Sequence, residues 1–70
     1  MKLSARNMLK GRVVKLVKGA VNSEVTLELP GGNQIVSIIT NTSVETLKLK
    51  DGVEAYAVIK ASNVMIAVDD

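Results

Sequence analysis

The residues best suited to chemistry fall into three groups. Ser4-Ala5-Arg6-Asn7 puts a hydroxyl, a guanidinium and an amide within four positions. Thr40 and Ser43 add two hydroxyls, and Lys60-Ala61-Ser62 adds an ammonium and a third. Arg and Lys are donor-only, the hydroxyls can donate, and small Ala5 and Ala61 leave their backbone N–H groups approachable. Such donors, converging from several sides, suit an oxyanion, which only accepts. Singly, each residue has a plainer use. Ser4 can satisfy nearby backbone, Arg6 can be a surface charge, and Lys60 can snorkel from a strand end. Thr40 and Ser43 suit a helix start, and Ser62 suits a turn. The anion reading rests on their joint presence.

Other chemistry is poorly provided for. The chain has no histidine and no cysteine. A Ser, Thr or Lys nucleophile would therefore lack the usual base, and thiolate or imidazole metal sites are excluded. No Gly-rich phosphate loop ending in Gly-Lys-Ser/Thr occurs. We read no active site and no metal site. Charge is uneven: residues 1–18 carry six basic side chains and no acid, whereas residues 19–70 carry three basic and seven acidic ones. A basic front end can attract anions, although charge alone fits a solvated surface equally well.

The elements that must position these groups are short strands. Residues 11–18 are rich in β-branched side chains and read as a first strand. Gly19-Ala20 suits a turn. Residues 22–29 alternate, with Val25, Leu27 and Leu29 on one face and Glu24, Thr26 and Glu28 on the other, as in a half-buried second strand. Pro30-Gly31-Gly32-Asn33 is the strongest turn signal. A third strand over residues 34–40 completes an antiparallel meander. Thr42 and Glu45 have capping-box spacing for a short helical turn, with Val44 and Leu47 facing the core. Asp51-Gly52 marks a turn, residues 53–60 a fourth strand, and residues 64–68 a fifth. The expectation is an all-β fold: a five-stranded OB-like Greek-key barrel, with one short helical turn between strands three and four, forming a single domain over residues 1–70.

Seventy residues bury a modest core, and here it must be aliphatic, because Tyr56 is the one aromatic. Strands four and five are apolar on nearly both faces. Ala55, Ala57 and Ile59 stand against Tyr56 and Val58; Val64, Ile66 and Val68 stand against Met65 and Ala67. One small domain has only one core, so the second face calls for another copy of the chain. No apolar run approaches the length of a membrane span, and the first residues lack the apolar core of a signal peptide. Together with the lack of cysteine this fits a cytoplasmic protein.

The whole chain resembles the molbindins, the small molybdate-binding proteins of the Mop family, whose module also occurs in molybdate-responsive regulators and transport ATPases. The resemblance is carried by Ser4-Ala5-Arg6-Asn7, by Lys18-Gly19-Ala20-Val21, by the run from Ser37 to Thr40 with Ser43-Val44, and by residues 55–62 with Val64-Met65-Ile66. It implies a hexamer, built as a trimer of dimers, that stores molybdate and takes tungstate as well. It also implies an anion site between subunits, formed by Ser4, Ala5, Arg6, Thr40, Ser43, Lys60, Ala61 and Ser62. A second anion site would lie where the turns Lys18, Gly19, Ala20 and Val21 of three chains meet. The ligand is the oxyanion, with no organic cofactor and no enzymatic activity. Two alternatives stand beside this. The oldest naming of the family invokes a molybdenum-pterin, and OB-like barrels often bind single-stranded nucleic acid. The latter needs aromatic platforms, and a lone Tyr56 on a strand that reads as buried supplies none.

Overall fold

One long strand organises the sheet. The computed structural model describes residues Met1–Asp70, and its first strand, β1, spans Asn7–Lys18. It therefore begins at Asn7, ahead of the β-branched run that marks it in the sequence. β2 (Asn22–Glu28), β3 (Gln34–Thr40), the helix α1 (Asn41–Thr46) and β4 (Glu54–Ile59) follow, and a 3-10 turn occupies Ala61–Asn63. The sheet is antiparallel, in the order β3-β2-β1-β4. The two halves of β1 serve different neighbours. Asn7 to Arg12 pair with β4, and Arg12 to Lys18 pair with β2. A bulge between Val13 and Lys15 bends the strand near this change of partner. The edge strands β3 and β4 consequently line one shared apolar concavity of about 590 Å³, through Ile35, Ile39, Ala55, Ala57 and Ile59. The result is a small all-β fold, a curled sheet with one short helix.

The Pro30-Gly31-Gly32-Asn33 turn forms as its residues require. Gly31 and Gly32 take φ of +96° and +94°, and the Leu29 N–H donates to the Asn33 carbonyl at 2.7 Å. Only left-handed backbone closes this loop, and glycine adopts it without strain. The fifth strand does not form. Residues 64–68 follow the 3-10 turn without pairing, and Met65, Ile66 and Val68 are 93%, 86% and 87% exposed. Their composition suits a strand, but a strand also needs an edge to pair with. These residues leave the end of β4 without meeting one. The fold thus has four strands in an open curl rather than five in a closed barrel.

Little of the chain is buried. Val13, Val25 and Leu27 form the core, with Leu16, Ile39, Val44, Leu49, Ala55 and Ala57 packed against it. The radius of gyration is 13.0 Å, against about 11 Å for a compact chain of this length. Val36, Ile38, Tyr56 and Val58 stand exposed on the outer side of β3 and β4, so the second apolar face is present. Two other expectations change. Tyr56 is exposed rather than buried, because the inward positions of β4 alternate with it at Ala55, Ala57 and Ile59. Thr26 is buried despite its place on the polar side of β2. Its register partners Lys15 and Val36 flank it on both sides, enough to cover so short a side chain.

The helix starts two residues earlier than the Thr42–Glu45 capping box implies. Thr40 is the cap, and its Oγ1 accepts from the backbone N–H of Ser43 at 3.0 Å. Both spacings satisfy the same rule, and the end of β3 at Thr40 selects the first. Val44 packs on the core, but Leu47 is exposed because the helix stops at Thr46. The exit is a Schellman motif: Leu49 N–H donates to Val44 O at 3.0 Å and Lys48 N–H to Glu45 O at 3.1 Å. Lys48 holds the left-handed position, at φ 55°, where a side chain costs about 1 kcal/mol. Lys48→Gly should stabilise the protein by up to about that amount and raise the melting temperature by a few degrees. Thermal denaturation of the two proteins side by side checks it.

Candidate functional site

Pairing of β1 with β4 brings two of the three donor groups together. Asn7 is opposite Ile59, and the Asn7 Nδ2 donates to the Ile59 carbonyl at 3.2 Å. Extending that register by one residue sets Arg6 opposite Lys60. The chain segments carrying Ser4 and Ala5, and Ala61 and Ser62, leave the sheet from the same point. Neither Arg6 nor Lys60 makes an ion pair; the one salt bridge joins Lys10 Nζ to Glu54 Oε2 at 3.6 Å. The backbone N–H groups of Ala5, Arg6, Ala61 and Ser62 have no acceptor within the chain. Two unpaired cations, several unused N–H groups and two hydroxyls therefore gather at one end of the molecule. A cluster of this composition has donors to offer and no acid to satisfy them.

Thr40 and Ser43 stand elsewhere. Thr40 pairs with Asn22, at the start of β2, which lies beside the far end of β1 at Lys18 and Ser23. Thr40 Oγ1 donates to Ser43 Oγ at 2.9 Å, leaving the Ser43 hydroxyl proton without an acceptor in the chain. The turn Lys18-Gly19-Ala20-Val21 lies at this same end. It is closed by Gly19 N–H donating to Asn22 O at 2.8 Å. The N–H groups of Ala20 and Val21 have no partner in the chain. A Cβ on Gly19 would stand 2.7 Å from the Asn22 carbonyl oxygen, so the turn excludes other residues there.

The two ends are separated by the length of β1, at most about 36 Å at about 3.3 Å per residue, in a molecule 39 Å in its longest dimension. One copy of the chain brings Ser4, Ala5, Arg6, Lys60, Ala61 and Ser62 together, but not Thr40 and Ser43. The sequence does not single out Asn41. It follows Thr40 directly and bonds to the turn at residues 19–21. Its only sequence signal is a side-chain amide beside a helix cap. No group of acids, His or Cys that could hold a metal ion occurs anywhere in the chain.

Comparison with known proteins identifies the fold. A TOBE domain model matches residues 3–66. The chain belongs to the TOBE family. Within it, this TOBE domain stands with the Mop proteins. It is 58% identical over 66 residues to molybdenum-pterin-binding protein 1 of Clostridium pasteurianum, which covers 94% of this chain and 97% of the relative. Among solved structures, it matches MopII from Clostridium pasteurianum with a TM-score of 0.90 and 55% identity, over 96% of this chain and 100% of that one. It also matches the cytoplasmic molybdate-binding protein ModG, in a form with molybdate bound. That TM-score is 0.90 at 55% identity, over 93% of this chain and 46% of that one. These relatives are binding proteins rather than enzymes. No helix of this TOBE domain is long and apolar enough to cross a membrane.

Proposed function

We propose that this protein binds and stores molybdate, with tungstate an equivalent guest, at sites shared between copies of a homo-oligomer. The observation that carries the reading is the division of donors between opposite ends of one chain. A dianion needs donors on all sides, and either end alone supplies only some of them. Arg6, Lys60 and the N–H groups of Ala5, Ala61 and Ser62 would come from one subunit, with the hydroxyls of Thr40 and Ser43 from its neighbour. Burial between subunits excludes water and strengthens charged hydrogen bonds. A molybdate-binding protein from Sporomusa ovata and ModG, each similar over more than nine-tenths of this chain, support the same ligand.

Assembly has its own support. Residues 64–68 present an apolar, exposed segment, and β3 and β4 each keep an open edge beside an apolar concavity. Exchange of this segment between two copies would supply the missing fifth strand and cover the exposed side chains. Three such dimers would make the hexamer, in the cytoplasm. Native mass spectrometry with and without molybdate tests both parts. The expected result is an oligomer that gains a whole number of oxyanions. A folded monomer that takes up molybdate by itself would overturn the shared site.

A molybdenum-pterin remains the second reading, favoured by the names of the relatives. Against it, the apolar concavity carries no side-chain amide to pair with a pterin ring. Nucleic acid is less well served: Tyr56 is exposed, yet it is a single stacking surface.

A further inference from the structure

Asn41 makes three hydrogen bonds, and all of them run to the β1–β2 hairpin. Its backbone N–H donates to Val21 O at 2.8 Å. Its Nδ2 donates to Gly19 O at 3.0 Å. Its Oδ1 accepts from the hydroxyl of Ser23. Ser23 is 3% exposed, and this is the one bond its hydroxyl makes in the chain. The backbone bond alone would extend the β2–β3 ladder past Thr40 by one residue. The side-chain bonds do more, because they fix the first residue of α1 to two points on the β1–β2 hairpin. Thr40 precedes that residue and Ser43 lies two beyond it. A six-residue helix has little stability of its own to hold them in place.

We propose that Asn41 is a positioning residue for the anion site: anchored by Ser23 and Gly19, it sets where the Thr40 and Ser43 hydroxyls stand. Its role runs through the hairpin, where its Oδ1 accepts from Ser23 and one Nδ2 proton goes to Gly19 O. This inference rests on the molybdate reading above. It differs from a stabilising role in what it affects. A clamp that only stabilises the fold changes the melting temperature, whereas a positioning clamp changes the affinity of molecules that are already folded and assembled.

The test uses the full chain and sodium molybdate. Asn41→Ala, Ser23→Ala and Ser23→Thr are titrated calorimetrically beside the wild type, and each is sedimented to select assembled protein. Asn41→Ala should weaken molybdate binding about tenfold. Ser23→Ala should weaken it in the same direction, although its hydroxyl is buried away from any ligand. Ser23→Thr keeps a hydroxyl and should restore much of the affinity. If Asn41→Ala fails to assemble, the Ser23 pair decides. A double-mutant cycle of Ser23→Ala with Ser43→Ala should be non-additive, since the anchor acts through the same donor. The inference is overturned if wild type binds molybdate and the assembled variants bind it equally well, whatever their melting temperatures. A wild type that binds no molybdate overturns the inference and the proposed function together.

Discussion

Arg6→Ala and Lys60→Ala should each weaken molybdate binding by about tenfold to a hundredfold while the oligomer survives. The two cations meet where β1 begins and β4 ends, and neither is neutralised by a carboxylate of the chain. Hydrogen bonds to a charged group are worth about 1.5–3 kcal/mol each, and about 1.4 kcal/mol corresponds to tenfold in affinity. The side chains offer different things. Arg6 presents a planar fork that can meet two oxygens, and Lys60 a compact point charge. Arg6→Lys should therefore recover only part of the loss. Ser62→Ala removes one neutral hydroxyl and should cost less than either. Calorimetric titration of each variant, with a sedimentation profile alongside, separates lost affinity from lost assembly. Binding of molybdate by both alanine variants at wild-type strength would move the site elsewhere.

Ile66→Asp should dissociate the oligomer and abolish molybdate binding with it. Val64, Met65, Ile66 and Val68 all stand exposed in a single copy. Burying one such side chain is worth about 1.5–3 kcal/mol, so the proposed exchange of the segment would contribute several kcal/mol per chain. A carboxylate in the middle of it loses one of those terms and adds the cost of desolvating a charge without a partner. Because each proposed site draws on two subunits, dissociation leaves half-sites with little affinity. Asp69→Asn, just beyond the apolar run, is the control and should leave both properties unchanged. Analytical ultracentrifugation at micromolar concentration reads the result. An Ile66→Asp protein that sediments with the wild type would show that these residues play no part in assembly.

Local patterns in the sequence account for much of this fold. The Pro-Gly-Gly-Asn turn needs only neighbouring residues and forms as they require, and β2 lies where its alternation puts it, ending at Glu28 rather than Leu29. The helix cap was ambiguous because Thr40 with Ser43 and Thr42 with Glu45 have the same spacing; the end of β3 decides between them. The burial of Thr26 departs from the alternation, because alternation gives the face of a residue but not how far its neighbours cover it. Residues 64–68 have strand composition, yet within one copy of the chain they pair with neither of the open edges, β3 or β4. The candidate donors were all visible as residue types. Their grouping was not, because it depends on β1 pairing with β4 across some fifty residues of intervening chain, and on β1 being long enough to hold Thr40 and Ser43 away from Arg6 and Lys60.

The central claim is that each anion site is completed by a second copy of the chain, and complementation tests it directly. One variant carries Arg6→Ala with Lys60→Ala, which removes the cations from the first end. The other carries Thr40→Asp, which keeps a side chain able to cap α1 but sets a negative charge against the anion at the second end. Each assembled variant alone should bind molybdate poorly. Unfolded together and refolded as mixed oligomers, they should regain a population of sites at near wild-type affinity, each built from the intact ends of two different chains. A mixed oligomer that binds no better than its separate components would contradict the shared site.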